Sequence, residues 1–267
     1  CVESGSVTIT EPSAISITAS TTNVSCNGLS NGTANLTISG GTPGYIEDWG
    51  TNNPMALAPG TYNYTVTDSN LCVESGSVTI TEPSAISITT STTNVSCNGL
   101  SDGTANLTIS GGNPGYIEDW GTNNPMALAP GTYNYTVTDT NNCSTTDSII
   151  ITEPSAISVT SSTTNVSCNG LSDGTANLTI SGGTPGYIED WGTNNPMSLN
   201  SGTYNYTVTD SNLCVESGSI TITEPSAISS IINSTDLTSC LIQNGSIDLT
   251  VNGGTSPYTY LWNNGDT

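Results

Sequence analysis

The residues with the clearest chemical potential in this sequence are its eight cysteines, which form two regularly spaced series. One series is Cys26, Cys97, Cys168 and Cys240, and the other is Cys1, Cys72, Cys143 and Cys214. Regular spacing of this kind is typical of disulfide frameworks in exported chains or of metal sites. Because the chain has no His and no CxxC motif, the spacing favours disulfide bonds over a zinc site.

The charged residues exclude several classes of function. The chain has 22 Asp and Glu residues but no Lys, Arg or His, and its formal charge is -22. It therefore has no electrostatic basis for binding nucleic acid or an anionic membrane. It also lacks a His or Lys base, and Glu118 and Asp119 fall on opposite faces of a strand, so we expect no enzyme activity.

The cysteines recur because the chain is built from near-identical repeats. Residues 1–71 and 72–142 differ at only five positions, a third copy covers 143–213, and a fourth copy diverges after Ile228. A period of this length predicts tandem modules. We predict the last strand of a preceding repeat at 1–11, repeats at 12–82, 83–153 and 154–224, and a partial, divergent fourth repeat at 225–267.

Alternation of apolar and polar residues predicts that each repeat consists of β-strands. The runs "TANLTIS" at 104–110 and "TYNYTVTD" at 132–139 each place their apolar side chains on one face. Turns rich in Gly, Pro and Asn separate such runs. Six or seven short strands around a tryptophan predict an all-β fold of tandem immunoglobulin-like β-sandwiches, each of about 71 residues.

Aromatic residues are predicted to form the core of each sandwich. Tyr133 stands where immunoglobulin-like sandwiches often carry a corner tyrosine, but we favour simple packing in the core. The predicted core residues are Trp49, Trp120, Trp191, Tyr62, Tyr133 and Tyr204. A domain of this size buries only about 60% of its unfolded surface, so disulfide bonds are expected to stabilise it.

One strand places a charge where an apolar residue is expected. In "GYIEDWG", alternation from Trp49 puts Glu47 on the core side of the sheet. A carboxylate there requires a hydrogen bond, a metal or a bulge. For Glu47 and its counterparts Glu118 and Glu189, we favour a local register slip or exposure at a sheet edge over a functional site.

The spaced motifs resemble a known family. The strings "VSCNGLSDGTANLTISGG" at 95–112, "APGTYNYTVTDTNNC" at 129–143 and "VNGGTSPYTYLWNNGDT" at 251–267 are similar to SprB-type repeats and to related PKD-like modules. The resemblance implies a giant surface adhesin of gliding Bacteroidota, exported by type IX secretion, with a role in adhesion or gliding motility. It implies no catalytic residues.

The predicted strand directions select among three ways of pairing the cysteines. Cys97 can pair within its repeat with Cys143, across the linker with Cys72, or with Cys214 of the neighbouring repeat. In an immunoglobulin-like sandwich, the strand after Cys97 and the strand before Cys143 run in the same direction, so these cysteines lie about 25 Å apart. A disulfide requires Cα atoms within about 7 Å. We therefore predict Cys26–Cys143 and Cys97–Cys214 bonds, and expect the other four cysteines to pair outside this segment.

Carboxylates near the junctions are candidate ligands for calcium. Asp139, Glu82, Asp102 and Glu118 could cluster there, and oxygen ligands suit Ca²⁺. The sequence contains no EF-hand pattern, and the favoured alternative is that solvated carboxylates keep the chain soluble. We therefore predict no obligatory cofactor.

The linkers between repeats predict a stiff array. Only Glu82, Pro83 and Ser84 separate one predicted strand from the next, and Pro restricts both its own backbone and the preceding residue. Together with the disulfide bonds, such a linker predicts an elongated rod whose partners are its own neighbouring repeats.

These features predict an extracellular structural stalk on the cell surface. One alternative hypothesis is that the repeats themselves bind glycans or a surface through strand faces such as Thr132, Asn134, Thr136 and Thr138. Another is that they polymerise with other copies into a filament. The chain has no initiator Met and no apolar run near 18 residues. We therefore expect a segment of a longer secreted protein, without membrane insertion.

Overall fold

The computed structural model describes residues 1–263, which form an all-β structure with no helix in that part of the chain. The last four residues of the predicted partial repeat at 225–267 lie outside the described residues. The chain folds as two compact units. The first comprises Cys1–Thr93 and Gly103–Ile151, and the second comprises Asn94–Asp102 and the described residues from Thr152 to 263.

The first unit contains two copies of one five-stranded arrangement. The strands of the first copy are β1 (Ser16–Thr22), β2 (Thr33–Ser39), β3 (Ile46–Asp48), β4 (Gly60–Thr67) and β5 (Val73–Ile80). Those of the second copy are β6 (Ser87–Thr93), β7 (Thr104–Ser110), β8 (Ile117–Asp119), β9 (Gly131–Thr138) and β10 (Ser144–Ile151). In each copy, the first two strands form one antiparallel sheet and the other three form a second, with the fourth strand central.

The second unit repeats this arrangement and begins another. Its complete copy comprises β11 (Ser158–Thr164), β12 (Thr175–Ser181), β13 (Ile188–Asp190), β14 (Gly202–Thr209) and β15 (Val215–Ile222). The divergent residues after it form the antiparallel pair β16 (Ser229–Thr235) and β17 (Ser246–Asn252). The two-sheet arrangement is the sandwich-like, all-β repeat that the sequence predicts.

The core of the first repeat lies between its two sheets. Leu36 of β2, Val66 of β4 and Ile80 of β5 are buried in one apolar cluster with Trp49 and Leu57. Alternate residues on the same strands are exposed, so the two-residue period of the sequence separates core from solvent. The third repeat has an equivalent cluster in the second unit.

Each complete repeat has five strands, not the six or seven that were predicted. The segment between β3 and β4 forms turns, in which Asn52 N–H donates to the Trp49 carbonyl (3.3 Å) and Ala56 N–H donates to the Asn53 carbonyl (3.0 Å). A single antiparallel bridge joins Leu57 to Gly32. The Asn, Pro and Gly residues of this segment favour turns over a further strand.

Strands β2 and β4 run in the same direction although they belong to different sheets. Gly32 and Leu57, which precede the two strands, form a backbone bridge. Beyond the other ends of these strands, Thr42 N–H donates to the Asp68 carboxylate at 2.8 Å. This is the direction on which the predicted disulfide pairing depends.

The acidic residue of the short third strand is accommodated at a sheet edge. Glu47 pairs with buried Val66, so the register does not slip and Glu47 lies on the core side, as alternation predicts. Its carboxylate is nevertheless exposed because β3 is an edge strand, and it accepts a hydrogen bond from Trp49 Nε1 at 3.3 Å. Glu118 and Glu189 make the same bond.

Candidate functional site: the disulfide-bonded joint

Two loops from neighbouring repeats form each joint, which is the place where a disulfide bond connects them. One of them is the tight turn between the fourth and fifth strands of a repeat, which we call the proximal turn (residues 68–72, 139–143 and 210–214). In the second repeat, the buried carboxylate of Asp139 accepts hydrogen bonds from Asn141 N–H and Cys143 N–H, each at 2.9 Å. It also accepts from Asn113 N–H at 2.8 Å. These bonds hold Cys143 in a fixed position immediately before β10.

The same bonds determine the ionisation of this carboxylate. Burial of Asp139 opposes its charged form, but the N–H donors of Asn113, Cys143 and Asn141 outweigh that effect. The pKa of Asp139 therefore lies below its ordinary value. Asp68 and Asp210 receive equivalent donors, and the pKa of each is also lowered.

The other side of the joint is the loop between the first and second strands, which we call the distal loop (residues 23–32 and 94–103 in the first two repeats). In the first repeat, Gly28 N–H donates to the Glu82 carboxylate at 2.6 Å, and Asn27 Nδ2 donates to the Pro83 carbonyl at 3.1 Å. Val24 N–H donates to the Thr81 carbonyl at 3.0 Å. The distal loop is thus bonded to the linker.

The structure joins the two sides by disulfide bonds in both units. Cys26 is bonded to Cys143 in the first unit, and Cys97 is bonded to Cys214 in the second. In each pair the Cα atoms are 5.6 Å apart and the sequence separation is 117. These are the two pairs predicted from the strand directions.

Side-chain amides reinforce the joint, and the two units differ here. In the first unit, the Ser25 carbonyl accepts hydrogen bonds from Asn113 Nδ2 (3.1 Å) and Asn141 Nδ2 (3.3 Å). In the second unit, the Ser96 carbonyl accepts from Asn212 Nδ2 at 3.1 Å. The residue that corresponds to Asn113 is Thr184 there, so the first joint has an additional hydrogen bond.

The four remaining cysteines have no disulfide partner among the described residues. They are exposed: Cys1, Cys72, Cys168 and Cys240. Cys72 lies in a proximal turn where Asp68 accepts its N–H at 2.9 Å, as Asp139 does for Cys143. Their pairing outside this segment stays a prediction.

The structure does not bring the four candidate calcium ligands together in one cluster among the described residues. The Glu82 carboxylate accepts from Gly28 N–H, Asp102 accepts from Ser96 N–H at 3.0 Å, and Glu118 accepts from Trp120 Nε1 at 3.3 Å. Asp139 organises the proximal turn. Within residues 1–263, no three His, Cys, Asp or Glu side chains form a group that could hold a metal ion. All four carboxylates instead accept hydrogen bonds from N–H donors of the folded chain.

The predicted core aromatics divide into two groups. Trp49, Trp120 and Trp191 are buried as expected. Tyr62, Tyr133 and Tyr204 were predicted in the core but are only half-buried. Each of these tyrosines donates its hydroxyl to the carbonyl four residues earlier, at 2.9, 2.9 and 3.1 Å, so they are corner tyrosines.

The fully packed tyrosines lie two residues further along the strand. Tyr64, Tyr135 and Tyr206 are buried and pack against the tryptophans, with ring centroids 5.1, 4.9 and 5.3 Å apart. Alternation alone missed this distinction because both tyrosines of "YNY" face the same side. The available signal was the position along the strand, since Tyr133 lies near the start of β9 and Tyr135 lies two residues further into it.

No described helix is long and apolar enough to cross a membrane.

Comparison with protein families places one known repeat along the chain. The family described as "SprB repeat" matches residues 18–46, 89–117, 160–188 and 233–267. The first match runs from within β1 to the start of β3 and includes the distal loop.

No curated protein and no solved structure matches the chain significantly. The family matches recur with the period of about 71 residues that the sequence and the strands both follow. The chain is therefore a tandem array that contains four SprB repeats.

Proposed function

We propose that this chain is part of a structural stalk in a bacterial cell-surface adhesin or filament, exported by type IX secretion and supporting adhesion or gliding. The joint is the observation that carries the proposal. The same inter-repeat disulfide, the same buried aspartate and the same loop-to-linker bonds occur in each unit. A spacer built from repeats needs the same connection between each pair of repeats. A binding site needs only the residues that contact its ligand.

The joint also supports a surface location and a stiff connection. SprB repeats are found in cell-surface proteins, and disulfide bonds persist in oxidising, extracellular environments. Between β5 and β6, Glu82 and Pro83 are both bonded to the distal loop, so the linker has little freedom. Neighbouring repeats of the same chain are the proposed partners.

Replacing the repeats tests the stalk function. In cells that display the protein, the array is exchanged for an unrelated immunoglobulin-like spacer of matched length. A stalk predicts that adhesion is retained with the matched spacer and falls when the spacer is shortened. Loss of adhesion with the matched spacer would contradict the proposal, because it would assign binding to the repeats themselves.

A second candidate function is direct binding of glycans or surfaces by the repeats. The observation that favours it is the polar outer face of β9, where Thr132 and Asn134 are exposed and Thr136 and Thr138 are partly exposed. Specific signals from the oxidised chain on a glycan array would favour this function. A T132A/N134A variant is the matched control, since both side chains lie on the exposed face of β9.

Assembly with other copies into a filament is the third candidate. It is favoured by the exposure of Cys72 and Cys168, which have no partner in the described part of the chain. Concentration-dependent light scattering that disappears on reduction would support cross-linked assembly. A monomer at all concentrations under oxidising conditions would contradict it.

A further inference from the structure

The two disulfide bonds overlap along the sequence. Cys97 lies within the segment closed by the Cys26–Cys143 bond, and Cys143 lies within the segment closed by the Cys97–Cys214 bond. The overlap arises because each bond spans a separation of 117 residues, which exceeds the repeat period of about 71. Bonds confined to single repeats would lie in series and could not overlap.

This overlap shortens the covalent path that carries a pulling force. From Cys26 the path crosses to Cys143, returns through β9, β8 and β7 to Cys97, and crosses to Cys214. It contains about 46 residues, whereas the chain from Cys26 to Cys214 contains about 190 residues. At about 3.5 Å per extended residue, the two lengths are about 160 Å and about 660 Å.

We propose that the overlapping disulfide bonds are a covalent extension limiter, which keeps the array short when its sandwiches unfold under tension. The proposal rests on the stalk function, because only a tethering element is pulled. Small sandwiches are marginally stable and open before covalent bonds break. The limiter therefore acts after the non-covalent structure has yielded, and it restricts the unfolded segment between Cys26 and Cys214 to about a quarter of its length.

Formation of the limiter is an oxidation whose electrons have a defined acceptor. Each bond forms when two thiols lose two protons and two electrons to a small-molecule disulfide, which is reduced to two thiols. Oxidised glutathione is the reagent of this class for experiments in vitro. The Cα atoms of the paired cysteines are 5.6 Å apart in each joint.

Single-molecule stretching of the whole chain tests the limiter. Serine replaces Cys1, Cys72, Cys168 and Cys240 so that only the two described bonds form, and the chain is held at its two termini. The oxidised chain is expected to extend by about 46 residues between Cys26 and Cys214 after full unfolding. Reduction is expected to raise that length about fourfold, to about 190 residues.

Single-bond variants provide the controls. C143S and C214S each leave one bond, and each is expected to give a path of about 71 residues, close to 250 Å. C26S removes the same bond as C143S from its other end and must give the same length. Peptide mapping of the unreduced variants establishes, before stretching, that the remaining bond has formed.

Two results would overturn the proposal. A path of about 140 residues in the oxidised chain would mean bonds within single repeats, and a path of about 190 would mean that no bond limits extension. Either result concerns connectivity alone and leaves the spacer replacement experiment unaffected. Conversely, loss of adhesion with a matched spacer would reject the stalk while the measured path could still be short.

Discussion

At the scale of residues, one buried tyrosine of the second repeat, Tyr135, has different surroundings from its counterpart Tyr64 in the first repeat. Across the strand pair, Tyr64 faces Gly76, where an added Cβ would lie only 2.4 Å from the tyrosine hydroxyl oxygen. Tyr135 faces Asp147, whose Cβ occupies that space. Tyr135 is consequently 2% exposed, against 7% for Tyr64, and its buried hydroxyl has no hydrogen-bond partner. Burial, and secondarily the Asp147 carboxylate, raises the pKa of Tyr135.

Removing this hydroxyl is expected to stabilise the second repeat. An unpaired buried hydroxyl is unfavourable, so Y135F should raise the free energy of unfolding by about 1 kcal/mol. Hydrogen exchange of β9, followed by mass spectrometry, measures the effect in the intact chain. Y64F is the matched control and should change stability by less than about 0.5 kcal/mol. A Y135F chain that exchanges faster in β9 than the parent would contradict this account.

The buried aspartates of the proximal turns predict acid sensitivity. The pKa of Asp139 is lowered in the folded state, whereas the ordinary value is 3.8. The unfolded chain therefore binds more protons at acidic pH, and the contribution of Asp139 is complete above pH 3.8 and is lost as the pH falls through the lower folded-state value.

A pH series of urea unfolding midpoints checks this sign. D139N is expected to destabilise the chain near neutral pH. It should also reduce the slope of the unfolding free energy against pH, in the acidic range, by the equivalent of at most one proton. At pH values below the folded-state pKa, the variant and the parent should converge. E74Q removes a charge from an exposed strand position and is the control. An unchanged slope in D139N would show that other groups cause the acid sensitivity.

At the scale of elements, the joint in the first unit is predicted to be the stronger of the two. Asn113 Nδ2 donates to the Ser25 carbonyl, and Thr184 cannot reproduce that bond. N113T should therefore disfavour the Cys26–Cys143 bond by roughly threefold to tenfold, as expected for one hydrogen bond of about 1 kcal/mol. The measurement is the ratio of oxidised to reduced joint in glutathione buffers of defined composition.

The reciprocal variant makes this comparison internally controlled. T184N places an amide where the second unit lacks one, and it should favour the Cys97–Cys214 bond by a similar factor. In both variants the other disulfide serves as the unchanged reference. Equal oxidation of the two bonds in the parent chain would argue that Asn113 contributes nothing to the joint.

Strands β2, β4 and β5 were largely predictable because their apolar and polar residues alternate. The short third strand was less so, since its Glu47 contradicts the pattern on the core side. Its edge position resolves the contradiction, and edge position is a property of the sheet order that no local pattern contains. The absence of a sixth strand from the described repeats has a different and local cause, because turn residues prevail between β3 and β4.

At the scale of the whole molecule, the limiter would tighten in a longer array that follows the same pairing rule. Cys168 would then join a cysteine 117 residues further along, as Cys26 and Cys97 do. The covalent path from Cys143 would run forward to Cys168 over about 25 residues, in place of the 46 that return to Cys97. Once unfolded, such an array would extend less per repeat than the segment between Cys26 and Cys214 does.

The sequence by itself determined the repeat period, the all-β class, the alternation that creates the core, and the exclusion of cationic chemistry, because these depend on residue type and spacing alone. It also restricted the disulfide pairing once strand direction was assumed. Tertiary structure decided that Tyr133 takes the corner position, which the sequence offered beside core packing, and that Tyr135 is the buried core residue. It also decided that the carboxylates of Glu82 and Asp139 accept hydrogen bonds from backbone N–H groups. These outcomes depend on which donors lie within about 3 Å in the folded chain, and donors distant in sequence are brought there only by folding.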